Sequence, residues 1–291
     1  MTASSPAGTF AAAVRDWYAG HARDLPWRRP DATPWGVLVS EVMLQQTPVS
    51  RVLPVWATWM LRWPAPVDLA AISPGEAVRA WGRLGYPRRA LRLHEAARAI
   101  VERHQGSVPR DVAALRALPG VGDYTAAAIA SFAFGAKTAV LDTNVRRVYA
   151  RVFDGVADAS GTPTTAERAT ALDRVPDVQP AGYSVAVMEL GAMVCRSRSP
   201  RCGDCPVAIE CRWRAAECPA LPTPRLGQPY DGTDRQARGR ILAVLRDSPE
   251  PVSGVRIDAA WPEPTQRRRA LAGLLEDGLV ERVGRRYRLP V

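Results

Sequence analysis

Three groups of residues in this chain have types and spacings that suit chemistry. The first is the turn Pro119-Gly120-Val121-Gly122, between an amphipathic run at 111–118 and a helical run that restarts at Asp123. Helices joined by so short a glycine turn form a hairpin, and an acidic residue suits the head of the second helix. Gly120 and Gly122 lack Cβ atoms, so the backbone there can take positive φ and approach a ligand closely. With Val121 between them, the N–H groups that open the second helix form a grip for phosphate. A plain αα-corner would use the same residues. The second group is Cys195, Cys202, Cys205 and Cys211, spaced C-x6-C-x2-C-x5-C. Structural zinc sites usually combine two separated C-x2-C or H-x3-H pairs. Here one x2 step stands alone and no histidine is near, which suits a four-thiolate [4Fe-4S] cluster and leaves zinc as the alternative. Cys218 stands outside the group. The third group is a pair of carboxylates. Glu41 shares a helix face with Val37, Leu38, Leu44 and Gln45, where burial favours the protonated form. Asp142 follows Ala139-Val140-Leu141 and precedes a helix, so it reads as an N-cap whose neighbouring N–H groups keep it ionised.

The elements that must position these groups are helices. Apolar residues recur at helical spacing over 10–22, 37–46, 49–62, 74–84, 88–104, 111–118, 123–134, 144–152, 164–175 and 179–194. Strand-like alternation is absent before residue 279, and 24–30 reads as a loop. Pro219 to Pro229 holds four prolines in eleven residues, a linker composition. Three short helical segments follow, at 235–246, 252–260 and 264–277. Strand-like pieces at 279–283 and 286–289 then flank Gly284, which completes the pattern of a winged helix. Arg267, Arg268 and Arg269 open its third helix, the element that usually enters a DNA groove; a solvated basic face is the plainer reading. The expected division is a helical domain over 1–218, a linker over 219–233 and a winged-helix-like domain over 234–291.

Arg and Lys total 39 against 29 acids, a net charge of +10, and the pI is near 10.0. That balance points to a polyanionic partner, nucleic acid before membrane. Lys137 is the only lysine. No signal-peptide pattern opens the chain and no run approaches the roughly 20 apolar residues of a membrane span, so a soluble, cytoplasmic protein is expected. Four of five cysteines crowded into 17 residues argue against a secreted disulfide frame.

The segment LPGVGDYTAAAI at 118–129, LDTNVRRV at 141–148 and the cysteine spacing together resemble the helix-hairpin-helix DNA glycosylases. Within that superfamily, VSEVMLQQT at 39–47, WGRLGYPRRALRLHEAA at 81–97 and MELGAMVC at 188–195 are similar to the MutY-type adenine glycosylases, over roughly residues 10–215. The resemblance implies an all-α fold of two helical lobes, a six-helix lobe at about 30–140 and a cluster lobe at 8–29 and 141–218. It implies a monomeric enzyme of base excision repair that flips adenine, mispaired with 8-oxoguanine or guanine, out of duplex DNA. Glu41 would protonate adenine at N7, and Asp142 would stabilise the oxocarbenium-like sugar. Asn144 and Tyr124 match positions that hydrogen-bond around that centre, and Glu189 matches an adenine-pocket residue lined also by Trp27 and Arg28. Gln46 and Tyr86 match residues that wedge into the duplex and touch the partner base. Related lyases place a lysine where Tyr124 stands, so a monofunctional glycosylase is expected. Departures from the family pattern are Thr143 in place of a glycine, Pro87 in place of a second tyrosine, and a tail too short for the usual 8-oxoguanine-reading domain. A thymine or uracil mismatch glycosylase and a non-catalytic DNA-binding module are the alternatives.

Overall fold

The structure, a computed structural model, describes residues 6–219 and 230–291, with side chains from Gly8 onward; most of the expected linker lies outside the described residues. Fifteen helices are described: α1 (Pro6–His21), α2 (Pro34–Leu44), α3 (Val49–Arg62), α4 (Pro66–Ala70), α5 (Pro74–Trp81), α6 (Arg88–His104), α7 (Val112–Arg116), α8 (Asp123–Phe134), α9 (Thr143–Tyr149), α10 (Thr165–Arg174), α11 (Pro180–Met193), α12 (Arg212–Ala215), α13 (Asp234–Arg246), α14 (Gly254–Asp258) and α15 (Pro264–Glu276). Helices α3, α6 and α8 run where the periodicity predicts. Helix α5 stops three residues early because Gly82 turns to φ 58° and its N–H bonds back to Arg79. The run expected at 144–152 ends as α-helix at Tyr149 and continues as a π-helical turn, Ala150–Asp154, closed by Gly155 at φ 72°.

The chain divides into two compact units. One comprises 1–37, 110–116 and 121–225; the other comprises 38–109, 117–120 and 226–291. The core of the first is built by α1, α9 and α11, with Phe10, Val14, Val145, Val148, Tyr183, Val187 and Leu190 buried together with Trp213. Helix α11 packs on α8 as well as α9. Its approach to α9 requires glycine at 191: a Cβ there would lie 2.7 Å from the carbonyl oxygen of Asn144 and 2.8 Å from its Cβ. In the second unit Trp59 makes edge contacts with Trp63 (5.0 Å between centroids) and Trp81 (5.6 Å), and α4 and α5 pack on α6.

The C-terminal module has the order α13, β1 (Val252–Ser253), α14, α15, β2 (Glu281–Val283), β3 (Arg286–Arg288). Its antiparallel sheet runs β1-β3-β2, with Val252 opposite Tyr287 and Arg282 opposite Tyr287. Strand β1 corrects the expectation of no strand before 279. Two residues carry too little alternation to register as a strand, and their partner is more than thirty residues away. The expected segment 252–260 is therefore a strand followed by one helical turn and a half.

Candidate active site

Asp142 is the N-cap of α9. Its Oδ1 accepts the Val145 N–H at 2.6 Å and its Oδ2 accepts Asn144 Nδ2 at 2.7 Å. Asn144 is held in turn, because its Oδ1 accepts from Arg147 Nη2 at 2.8 Å. The same guanidinium donates to the Gly191 carbonyl (2.7 Å) and, through Nε, to the Cys195 carbonyl (2.7 Å). A continuous hydrogen-bonded path thus runs from the Asp142 carboxylate to the backbone of the first cysteine. Burial pushes the Asp142 pKa up, against the opposing pull of the Val145 N–H, Asn144 and Arg147. Desolvation thus opposes the capping donors that favour its ionised form.

Glu189 on α11 is fully buried and takes four donors. Arg23 gives its backbone N–H (3.1 Å), Nε (2.6 Å) and Nη2 (2.7 Å), and Arg28 gives Nη1 (2.9 Å). Burial acts to raise its pKa, but the two guanidinia outweigh it and the net shift is downward. Arg28 follows Trp27 in a short 3-10 turn, Pro26–Arg28, with Trp27 buried. Arg23 carries no sequence mark as a site residue; its partner lies 166 residues away. Tyr124, in the first turn of α8, is half-buried. Helix α11 packs on both α8 and α9, so one unit holds Tyr124, Asp142, Asn144, Glu189, Trp27 and Arg28.

Glu41 lies in the other unit, on α2, and is buried at 5% exposure. The burial expected for it is present, and it extends beyond one face: α2 is buried continuously from Trp35 to Met43. Gln46 and Tyr86 are exposed and sit in left-handed backbone at φ 53° and 47°, a conformation that costs a non-glycine residue about 1 kcal/mol or more. Arg89 explains how both turns persist. Its Nη1 donates to the carbonyls of Val42 (2.9 Å), Met43 (3.1 Å) and Gln45 (2.5 Å), and Nη2 donates to Thr47 Oγ1 (3.0 Å) and Gly85 O (3.1 Å). Its guanidinium also lies 5.4 Å from the Tyr86 ring centre. Desolvation lowers its pKa to about 10, so it stays charged at neutral pH. Arg89→Ala is expected to lower stability by about 3 kcal/mol, since hydrogen bonds to charged groups are worth roughly 1.5–3 kcal/mol each. Arg89→Lys should recover only part of that, because an ammonium cannot fork. Denaturant unfolding of the two variants checks both.

In the hairpin turn only Gly120 has positive φ (78°), and a Cβ there would lie 2.7 Å from Arg92 Cβ. Gly122 is the N-cap of α8 in extended backbone, φ −90°, with open space where a Cβ would be. Of the two glycines free to take positive φ, only Gly120 does so. Val121 is buried. Asp123, the first residue of α8, pairs with Arg116 (2.7 Å) and Arg168 (3.2 Å).

Cys195, Cys202, Cys205 and Cys211 are unpaired by disulfides and line one cavity with Val148, Arg151 and Trp213. Burial pushes the Cys205 thiol up to about 11, and the Cys202 and Cys211 thiols in the same direction. Arg151, buried on the π-helical turn, stacks on Trp213 at 4.3 Å and brings Nη1 to 3.4 Å from Cys195 Sγ. Among the described residues no three His, Cys, Asp or Glu side chains gather closely enough to hold a single metal ion. Cys218 is exposed.

A family model described as HhH-GPD superfamily base excision DNA repair protein matches residues 39–173. The adenine DNA glycosylase of Mycolicibacterium smegmatis is 54% identical over 266 residues, covering 91% of this chain and 90% of that protein. The chain belongs to the adenine DNA glycosylase family. The human adenine DNA glycosylase is 44% identical over 214 residues, 70% of this chain and 39% of its own length. Among solved structures, a thermostable thymine-DNA glycosylase superposes with a TM-score of 0.67 at 28% identity, over 72% of this chain and 97% of that one. The helix-hairpin-helix glycosylase fold expected from the sequence is therefore the fold of this glycosylase.

Proposed function

We propose that this glycosylase removes adenine mispaired with 8-oxoguanine or guanine from duplex DNA, without cutting the strand. The base must leave the stack to expose its glycosidic bond. Glu41 then donates a proton to adenine N7 as the bond to C1′ breaks. The electron pair leaves with the base, and positive charge develops on the sugar. Asp142, ionised, faces that charge and stabilises it until water adds at C1′ and loses a proton, leaving an abasic sugar. Asn144 fixes the Asp142 carboxylate and Tyr124 bonds beside it. Trp27, Arg28 and Glu189 shape the adenine pocket, with Arg23 holding Glu189 in place. Gln46 and Tyr86 fill the gap and touch the partner base, while Gly120, Val121 and Gly122 present backbone to phosphate.

The observation that best supports this reading is the half-buried Asp142 carboxylate, supplied with donors on both oxygens, in a unit whose lysine is occupied elsewhere. Lys137, the only lysine of the chain, pairs with Asp177 at 2.7 Å. The four thiols on one cavity wall fit a [4Fe-4S] cluster, held by Cys195, Cys202, Cys205 and Cys211. When bound it supplies structural cross-linking of the loop that Arg147 and Arg151 tie to α9 and the π-helical turn. We read the protein as a monomer on DNA, in the bacterial nucleoid; among the described residues no helix is long and apolar enough to cross a membrane.

Single-turnover reactions on duplexes holding A·8-oxoguanine, A·G, T·G and U·G pairs test the reading. Adenine release from the first two is expected, with strand breaks only after alkali, in both the parent and Lys137→Ala. Release from T·G or U·G alone would establish the thymine or uracil alternative. Binding without release from any duplex would leave a non-catalytic module.

A further inference from the structure

The C-terminal module is fastened to the same unit that carries Gln46 and Tyr86. Arg79 on α5 donates to the carbonyls of Leu245 (3.4 Å), Ser248 (3.2 Å) and Arg246 at the end of α13. Arg246 answers with Nε to the Val78 carbonyl at 3.1 Å. The Gly75 N–H donates to the Pro290 carbonyl at 2.8 Å, and any Cβ at 75 would collide with that oxygen and with Leu289. Arg88, two residues beyond Tyr86, lies 3.2 Å from Asp277. The module is thus clamped at several points to α5 and the head of α6.

Two of the three arginines that open its third helix are spent on acids, which leaves Arg268 alone exposed there without an ion pair among the described residues. Arg267 is mostly covered, bonded to the Trp261 carbonyl (2.7 Å) and 2.8 Å from Asp258. Arg269 is neutralised by Asp234 through two bonds of 2.6 Å. Among the described residues, single arginines without an ion-pair partner are exposed on α13 (Arg240), α14 (Arg256) and α15 (Arg268), but three lie close together in sequence on the β2–β3 hairpin. Arg282, Arg285 and Arg286 are all exposed around Gly284. Among the described residues none of the three has an ion-pair partner; Arg282 reaches only the Gly284 carbonyl, at 3.0 Å. Glu281, the adjacent acid, is committed to Arg288 at 3.1 Å. Strand β3 runs on through Leu289 and Pro290 to meet Gly75, so the hairpin is rooted on α5.

We propose that this hairpin is a second duplex-binding element, with Arg282, Arg285 and Arg286 on phosphates of the undamaged DNA flanking the site. The inference rests on the reading that Tyr86 enters a duplex. Three unpaired guanidinia release counterions when they meet phosphates, and a hairpin already clamped to its neighbour loses little freedom in doing so. The patch holds one half-exposed apolar side chain, Val283, where a protein partner would call for an apolar centre. Duplex backbone is therefore the occupant that the charge favours.

The test uses the full chain with R282Q/R285Q/R286Q and the matching triple lysine variant, binding undamaged duplex over a range of salt. The glutamine triple is expected to bind about tenfold or more weakly at low salt. Its slope of log K against log salt should be shallower by roughly 2–3, at about 0.9 for each phosphate it no longer neutralises. The lysine triple should keep the parental slope, and both should melt at the parental temperature. Excision by saturating enzyme should be unchanged. An unaltered slope and affinity in the folded glutamine triple overturns the proposal, as does equal loss in both triples or a defect confined to binding an acidic protein. Should no duplex yield adenine while the slope still falls, the hairpin assignment stands and the adenine reading fails.

Discussion

Asp142→Asn is expected to lower single-turnover adenine release by about three orders of magnitude or more while leaving duplex binding nearly intact. Removing one preorganised charge or donor from a developing ionic centre costs roughly 10²–10³ in rate, and loss of a triad carboxylate about 10⁴. Because burial holds the Asp142 pKa above its ordinary 3.8, the acid limb of the parental rate profile should lie above that value. The same shift makes a stability statement. A carboxyl whose folded pKa is raised adds stability below the unfolded value, and that contribution is lost as pH rises through the folded one. The amide of the variant does not titrate, so its melting temperature relative to the parent should climb as pH rises from about 4 through the raised folded value. An offset independent of pH opposes it. The new amide can still accept the Val145 N–H, but its NH2 then meets the NH2 of Asn144, which cannot turn because Arg147 holds its oxygen. Calorimetry across that pH range separates the two. Full excision by the variant would falsify the assignment.

Glu41→Gln should lower the same rate by about 10²–10⁴, the range of a positioned general acid. Glutamine preserves the volume of a side chain that is 5% exposed and leaves the helix capable of folding, yet it has no carboxyl proton to give. Parental duplex binding and melting temperature alongside the lost rate distinguish loss of a proton donor from a repacked helix. Parental excision by the variant would move the acid elsewhere in the pocket.

Much of the site is legible as residue types. The N-cap at Asp142 is readable because an apolar run, a carboxylate and a helical run follow one another along the chain. The cysteine group is readable because its four members sit within 17 residues. The supporting residues are not. Arg23, Arg89 and Arg147 are ordinary members of an arginine-rich sequence, and each acquires its role from acceptors distant along the chain or from backbone carbonyls that have no side-chain identity. The two hairpin glycines illustrate the same limit. Both look alike in sequence, yet Arg92 stands against Gly120 and open space against Gly122.

Taken alone, the sequence determined most of the longer helices (though not α4, α12 or strand β1), the cationic balance and the residue types of the chemistry, since each is a local or compositional property. Only the tertiary structure decided which charges are spent. It paired Arg267 and Arg269 with acids and left the β2–β3 hairpin bare, it buried Asp142 enough to shift its titration, and it fastened the tail to α5. Those outcomes depend on which groups meet through space, and the energy of a charge is fixed by its neighbours and by the water it has lost.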